Sequence, residues 1–264
     1  TEYDNIPYSV VACKEHRETA LEAARQSMVL LKNDGILPLK DDIKTIGVIG
    51  PNADSREALV GNYNGTPKKY ITVLEGITNE AEKRGIDVQY SIGCHLWQTR
   101  TTTLAEEYDF DSEAMAVAEH SDVVVLCMGL DATIEGEQGD AGNEFGSGDK
   151  HDLMYPQIQR HVMEKVIEIG KPVIFVSMTG SAMDMRYVDE KCGAVIQAWY
   201  PGGEGGQAVA ELIFGEFSPS GKLPVTFYRT TEELPEFTDY SMKNRTYRYM
   251  ENTPLYPFGY GLSY

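Results

Sequence analysis

The chain has 264 residues, of which 42% are hydrophobic and 24% are charged, and its formal net charge at pH 7 is −18. This composition is that of a globular protein with a substantial core, and it excludes a chain that is mostly disordered. The acidic balance argues against nucleic acid and against an anionic membrane surface as partners, because both attract clusters of basic residues. A neutral ligand such as a sugar or a peptide suits this charge better.

Neither the cysteines nor the amino terminus defines a cellular compartment. Four widely spaced cysteines without a CxxC pair predict buried thiols rather than a disulfide framework. The first residues lack the basic start and apolar core of a signal peptide, and no run of about 18 apolar residues predicts a membrane span. Cytoplasmic and secreted locations are therefore both compatible with the chain.

Helix and strand patterns alternate along the chain. The run 16–33 predicts an amphipathic helix, because Leu21, Ala24, Met28 and Leu31 recur at helical spacing. Short apolar or β-branched runs predict six strands, at 45–50, 87–93, 122–129, 171–180, 193–202 and 221–228. Amphipathic runs predict the intervening helices, at 73–85, 112–121, 155–170 and 203–215.

This alternation predicts an α/β fold with a six-stranded, mostly parallel sheet sandwiched by helices. Pro224 favours an edge position for the last strand, since proline cannot donate a hydrogen bond to a neighbour. In such sheets, ligands bind beyond the carboxyl ends of the strands.

An acidic, glycine-rich loop at 129–156 leaves one of those predicted strand ends. From its residues alone, the loop could supply carboxylates for general acid/base chemistry, bind calcium, or be a solvated insertion. Its acids do not follow the D-x-D-x-D-G spacing of a calcium loop. Glu135 and Glu137 are two residues apart, so in an extended chain both side chains point the same way.

Other candidate chemistries are weaker. The run 47–55 lacks the G-x-G-x-x-G pattern of a dinucleotide site, and the serine in 178–185 is not in a G-x-S-x-G context. No histidine or cysteine has a partner at metal-ligand spacing. Trp199, at a predicted strand end, could stack on a sugar or fill the core. No cofactor and no metal are expected.

Seven segments, taken together and in order, resemble the second domain of family 3 glycoside hydrolases from about residue 12 to 264. They are ALEAARQSMVLLKNDGILPL, IGVIGPNA, GNYNGTP, the loop ending GDKHDLMYPQIQ, GKPVIFVSMTGSAM, AWYPGGEGGQAVAELIFGEFSPSGKLPVTF and RTYRYMENTPLYPFGYGLSY. The resemblance implies an α/β sandwich at 16–264, including a tyrosine-rich wrapping segment at 236–264. It also implies that residues 1–15 are a linker from an N-terminal barrel that bears the aspartate nucleophile.

The same resemblance implies roles for particular residues. GLDATIEGEQG matches the family's xylosidase-like pattern and gives the acid/base role to Glu137, with Glu135 as the alternative. Lys150 stands where the family has an arginine. GNYNGTP could line the crevice near the leaving sugar through Asn62 and Tyr63, or form a tight turn.

The implied function is the retaining hydrolysis of terminal β-linked sugars, with xylosides first and glucosides or arabinosides as alternatives. Because the chain contains no nucleophile motif, the expected partners are a carbohydrate and the barrel, without which the chain is expected to be inactive. The alternative is a non-catalytic carbohydrate-binding or protein-interaction module on the same fold.

Overall fold

The central sheet of the computed structural model has six strands among the described residues, which are 1–136, 139, 142, 146 and 148–264. The strands are β1 Val29–Asn33, β2 Thr45–Ile49, β3 Asp87–Ser91, β4 Val123–Gly129, β5 Val173–Met178 and β6 Ala194–Gln197. Their order is β1-β6-β5-β4-β2-β3, in which β1 is antiparallel to β6 and all other neighbours are parallel. The predicted α/β fold is confirmed.

Helices cover both faces of the sheet. They are α1 Lys14–Ser27, α2 Val73–Glu82, α3 Asp111–Glu119, α4 Gln157–Glu168, α5 Arg186–Lys191, α6 Gly205–Phe214 and the short α7 Thr246–Tyr249. Buried residues of α3, α4 and α5 pack on one face, and those of α1, α2 and α6 pack on the other. Strands β4 and β5 are buried throughout, which explains their continuous apolar sequences. Among the residues that the structure describes, no helix has the length and apolar character needed to cross a membrane.

One predicted helix is too long. Helix α1 ends at Ser27, and residues 29–33 form the edge strand β1. Met28 and Leu30 belong to one buried cluster, whereas Val29 and Leu31 belong to the other. Only an extended chain, whose side chains alternate between faces, can bury four consecutive apolar residues on both sides of a sheet. The prediction of helix for residues 28–33 is therefore wrong.

The predicted strand at 221–228 is also wrong, because within it only Phe227 forms a bridge, with Tyr256. This segment and the chain end instead run as coil beside β1. A Cβ on Gly221 would lie 2.2 Å from the Met28 carbonyl oxygen. The backbone N–H of Leu262 donates to the Leu30 carbonyl (2.8 Å), so the carboxyl-terminal segment covers part of the β1 edge.

A buried carboxylate links α2 to α6. Glu80, whose side chain is 4% exposed, accepts hydrogen bonds from Lys83 (2.6 Å), Arg84 (2.8 Å) and Gln207 (2.8 Å). Burial by itself would raise the pKa of Glu80, but these hydrogen bonds outweigh burial and lower the pKa from 4.5 to about 2.

Acid should therefore weaken this connection. A lowered folded-state pKa gives stability that is present above pH 4.5 and lost as the pH falls towards 2. We expect Glu80→Gln to lower the free energy of unfolding at about pH 6, with an upper limit of about 3 kcal/mol, and to lower it less near pH 3. Urea unfolding at both pH values checks this, with Glu82→Gln on the exposed side of α2 as the control. If Glu80→Gln lowered the free energy of unfolding equally at both pH values, this expectation would be contradicted.

Candidate active site

The acidic loop begins at the carboxyl end of β4, where the sequence predicts a ligand crevice. Asp131 shapes its first turn: its carboxylate accepts from the Thr133 backbone N–H (2.8 Å) and hydroxyl (2.5 Å). The Asp131 carbonyl accepts from the N–H groups of Ile134 (3.1 Å) and Glu135 (2.9 Å). This turn brings Glu135 back over the strand ends. Glu137 lies outside the described residues.

The Glu135 carboxylate is held by the segments that follow β5 and β6. Its Oε1 accepts from the Ser181 hydroxyl, and its Oε2 accepts from the Gly180 N–H (3.2 Å) and the Tyr200 hydroxyl. The Asn62 side chain donates to the Glu135 carbonyl oxygen (3.2 Å). Three distant chain segments thus converge on one partly buried residue.

Tyr200 is directed at Glu135 by its neighbour. Trp199 has a left-handed backbone (φ +60°), and its indole N–H donates to the Ser27 carbonyl at the end of α1 (3.0 Å). Burial, followed by the negative charge of Glu135 and the hydrogen bond to it, raises the pKa of Tyr200 above its ordinary value. The Tyr200 hydroxyl therefore keeps its proton and acts as a donor.

The ring of Tyr200 lies in a narrow space. A Cβ on Gly61 would be 3.2 Å from the ring, and a Cβ on Gly180 would be 2.9 Å from it. Glycine at these two positions therefore allows the loop 61–66 and the segment after β5 to approach the same ring.

The far end of the acidic loop is fixed to the same part of the fold. The ammonium group of Lys150 donates to the Ala182 carbonyl (2.6 Å) and contacts the Met183 sulfur (3.0 Å). Burial lowers the pKa of Lys150, and the charges of Glu135 and Asp152 oppose that shift. Residues 180–183 therefore hold the loop both at Glu135 and at Lys150.

The predicted substrate-contact residues lie in three different environments. Asn62 contacts the acidic loop, because its side chain donates a hydrogen bond to the Glu135 carbonyl oxygen. Tyr63 is 88% exposed and has a left-handed backbone (φ +60°), an uncommon conformation for a bulky residue. Trp199 is partly buried and packs edge-to-face against Phe227, with the ring centres 6.3 Å apart.

Sequence reasoning did not find Gly180, Ser181 and Tyr200 as parts of this cluster. A usable signal existed, because Ser181 follows β5 by three residues and Tyr200 follows β6 by the same number. Ends of parallel strands meet at one edge of a sheet, so both residues belong beside the acidic loop. Within the described part of the chain, no group of three or more His, Cys, Asp or Glu residues could hold a metal ion.

Comparison with known proteins gives consistent results. The model of the glycosyl hydrolase family 3 C-terminal domain matches residues 28–264. A xylan 1,4-beta-xylosidase of Xylanibacter ruminicola is 29% identical over 100% of this chain and 46% of its own length. A beta-xylosidase of Formosa agariphila is 36% identical over 95% of this chain and 34% of its own length. A periplasmic beta-glucosidase of Salmonella typhimurium is 34% identical over 98% of this chain and 38% of its own length.

Solved structures support the same assignment. A family 3 exo-beta-xylosidase in complex with a xylobiose aziridine activity-based probe superposes with a TM-score of 0.84 at 32% identity, over 100% of this chain and 33% of that one. The chain thus spans between a third and a half of the length of these relatives. By its sequence and its fold, the chain belongs to glycoside hydrolase family 3 and corresponds to the C-terminal domain of that family.

Proposed function

We propose that the chain is the acid/base-donating domain of a retaining β-glycosidase that hydrolyses terminal β-linked sugars. The observation that carries the proposal is the fixed position of Glu135 at the carboxyl edge of the sheet, two residues before Glu137. β-Xylosides are the first substrates to test, because several relatives are named as xylosidases. Glucosides and arabinosides follow, because other relatives are named as a beta-glucosidase and as beta-xylosidase/alpha-L-arabinofuranosidases.

The two glutamates have different roles in this proposal. Both carboxylate oxygens of Glu135 already accept hydrogen bonds from the domain, one of them from a backbone N–H that can only donate. Glu135 therefore acts as an acceptor that fixes the loop. We assign proton transfer to Glu137 and keep Glu135 as the alternative.

The proposed mechanism divides the reaction between two domains. An aspartate on the N-terminal barrel attacks the anomeric carbon while Glu137 donates a proton to the departing oxygen. Water then hydrolyses the glycosyl-enzyme, and Glu137 takes a proton from that water. In this division residues 1–15 are the linker to the barrel, and residues 16–264 are the domain that brings the glutamate.

The departing sugar is proposed to lie against Asn62, Tyr63 and Trp199. The exposed ring of Tyr63 offers a flat apolar face of the kind on which sugar rings pack. Asn62, the residue before Tyr63, donates to the Glu135 carbonyl oxygen in the acidic loop. The segment 236–264 contacts β1, where the Tyr260 hydroxyl donates to the Leu31 carbonyl (3.1 Å).

The proposal is tested by an assay of aryl β-xyloside hydrolysis by the chain alone and by the chain joined to its barrel. We expect turnover only by the joined protein, because the nucleophile and the acid/base group then share one site. Strong turnover by the chain alone would refute the divided site. Sugar binding without turnover by the joined protein would support the non-catalytic module instead.

A further inference from the structure

We propose that Gly180, Ser181 and Tyr200 form a clamp on Glu135 that positions the acidic loop for proton transfer. In this proposal Glu135 and Tyr200 are positioning residues, since they act through the loop rather than on the sugar. The inference rests on the proposed function, and it adds a determinant of the reaction that lies in the segments after β5 and β6.

The first argument is the arrangement of the attachment points. Glu135 is held by Gly180, Ser181 and Tyr200, and Lys150 is held by the Ala182 carbonyl. The stretch 136–149 is therefore tied at both of its ends to one segment, 180–183. Along the chain Glu137 is much nearer to Glu135 than to Lys150, so we expect the Glu135 attachment to matter more for proton transfer.

The second argument is that a loop of this composition needs such an attachment. The sequence of residues 136–149 holds five glycines and four acidic residues. Glycine widens the range of backbone conformations open to a chain, and like charges repel one another. A catalytic group misplaced by about 1 Å can cost about 100-fold in rate. Fixing the loop close to the glutamate reduces the number of conformations from which Glu137 must be brought to the glycosidic oxygen.

The third argument is that Tyr200 is itself held in place. Its ring lies beside Gly61 and Gly180, and its backbone follows Trp199, whose indole is bonded to Ser27. The raised pKa of Tyr200, caused first by burial and then by Glu135, keeps its hydroxyl a donor over the working pH range. Tyr200 and its neighbour Trp199 thus connect the acidic loop to the loop 61–66 and to the end of α1.

The kinetic test uses Tyr200→Phe in the joined protein, with aryl β-xylosides that have leaving groups of graded acidity. Removal of the hydroxyl should lower kcat/KM about 10- to 100-fold for poor leaving groups, which depend on protonation. The loss for 2,4-dinitrophenyl xyloside should be less than about threefold, because dinitrophenolate departs without a proton. Ser181→Ala should show the same dependence on the leaving group.

Tyr260→Phe is the matched control. It also removes a tyrosine hydroxyl that donates to a protein group, the Leu31 carbonyl, but that bond lies at β1 and outside the loop. We expect Tyr260→Phe to change all substrates by the same small factor. An equal loss for all leaving groups in Tyr200→Phe, or no loss, overturns the clamp.

A second measurement does not depend on catalysis. Hydrogen–deuterium exchange of the 264-residue chain should become faster within residues 131–150 in Tyr200→Phe and should not change there in Tyr260→Phe. Unchanged exchange in Tyr200→Phe overturns the clamp whatever the enzyme does. Conversely, faster exchange in a joined protein without glycosidase activity would retain the clamp and refute the proposed function.

Discussion

Glu137→Gln is expected to lower kcat/KM for aryl β-xylosides with poor leaving groups by about 10²–10⁴-fold, the usual contribution of general acid catalysis. The amide occupies the same volume but cannot donate a proton to the departing oxygen. With 2,4-dinitrophenyl xyloside, formation of the glycosyl-enzyme needs no general acid and is not slowed. Hydrolysis of the glycosyl-enzyme lacks its general base and is slowed, so kcat and KM should fall together. Steady-state kinetics of the joined protein with both classes of substrate measures this.

Azide provides an independent readout of the same substitution. A small anionic nucleophile needs no general base, so azide should accelerate breakdown of the glycosyl-enzyme in Glu137→Gln and yield a β-xylosyl azide. Glu82→Gln, an exposed substitution on α2, controls for the loss of one negative charge. If Glu135→Gln is rescued by azide and Glu137→Gln is not, the roles of the two glutamates are exchanged. If neither is rescued, the proposed acid/base function of the loop is wrong.

Gly50→Ala is expected to destabilise the domain by roughly 3–5 kcal/mol, a large part of the usual 5–15 kcal/mol for a domain. Gly50 follows β2 with φ +128°, and a Cβ there would lie 1.9 Å from the Cys127 carbonyl oxygen on β4. No side-chain rotation relieves this overlap, so the two central strands must separate. Thermal and urea unfolding should show a lower midpoint or a largely unfolded chain.

Gly65→Ala is the matched control for that substitution. A Cβ at Gly65 would have no atom of the described residues within 4 Å, and the backbone there is not left-handed. Alanine at this position should therefore change the free energy of unfolding by less than about 1 kcal/mol. Equal stability of the two variants would contradict the close approach of β2 and β4.

The central strands were predictable from the sequence for a physical reason. Strands β2 to β6 lie within five of the six predicted strand segments. For β2, β4, β5 and β6 the reason is that a buried parallel strand needs apolar side chains on both faces and reads as a continuous run. The positions of α2, α3, α4 and α6 followed from helical spacing between those runs. The start of the acidic loop at a strand end followed directly from the pattern of β4.

The β1 edge of the sheet was not predictable in this way. The four consecutive apolar residues 28–31 satisfy a helix or a strand, and so short a run does not distinguish a period of 3.6 from a period of 2. Pairing with β6 and coverage by the carboxyl-terminal segment decide for a strand. Because β1 occupies the edge beside β6, the segment 221–228 does not pair with β6.

The sequence by itself determined the α/β class, the family resemblance and the loop that carries Glu135 and Glu137, because each of these is a local pattern of residue types. Only the tertiary structure decided what holds that loop. Glu135 meets Gly180 and Tyr200, which are 45 and 65 residues away along the chain. Such contacts arise because parallel strands place their carboxyl ends side by side, and nothing in the composition of one short segment records which distant segment becomes its neighbour.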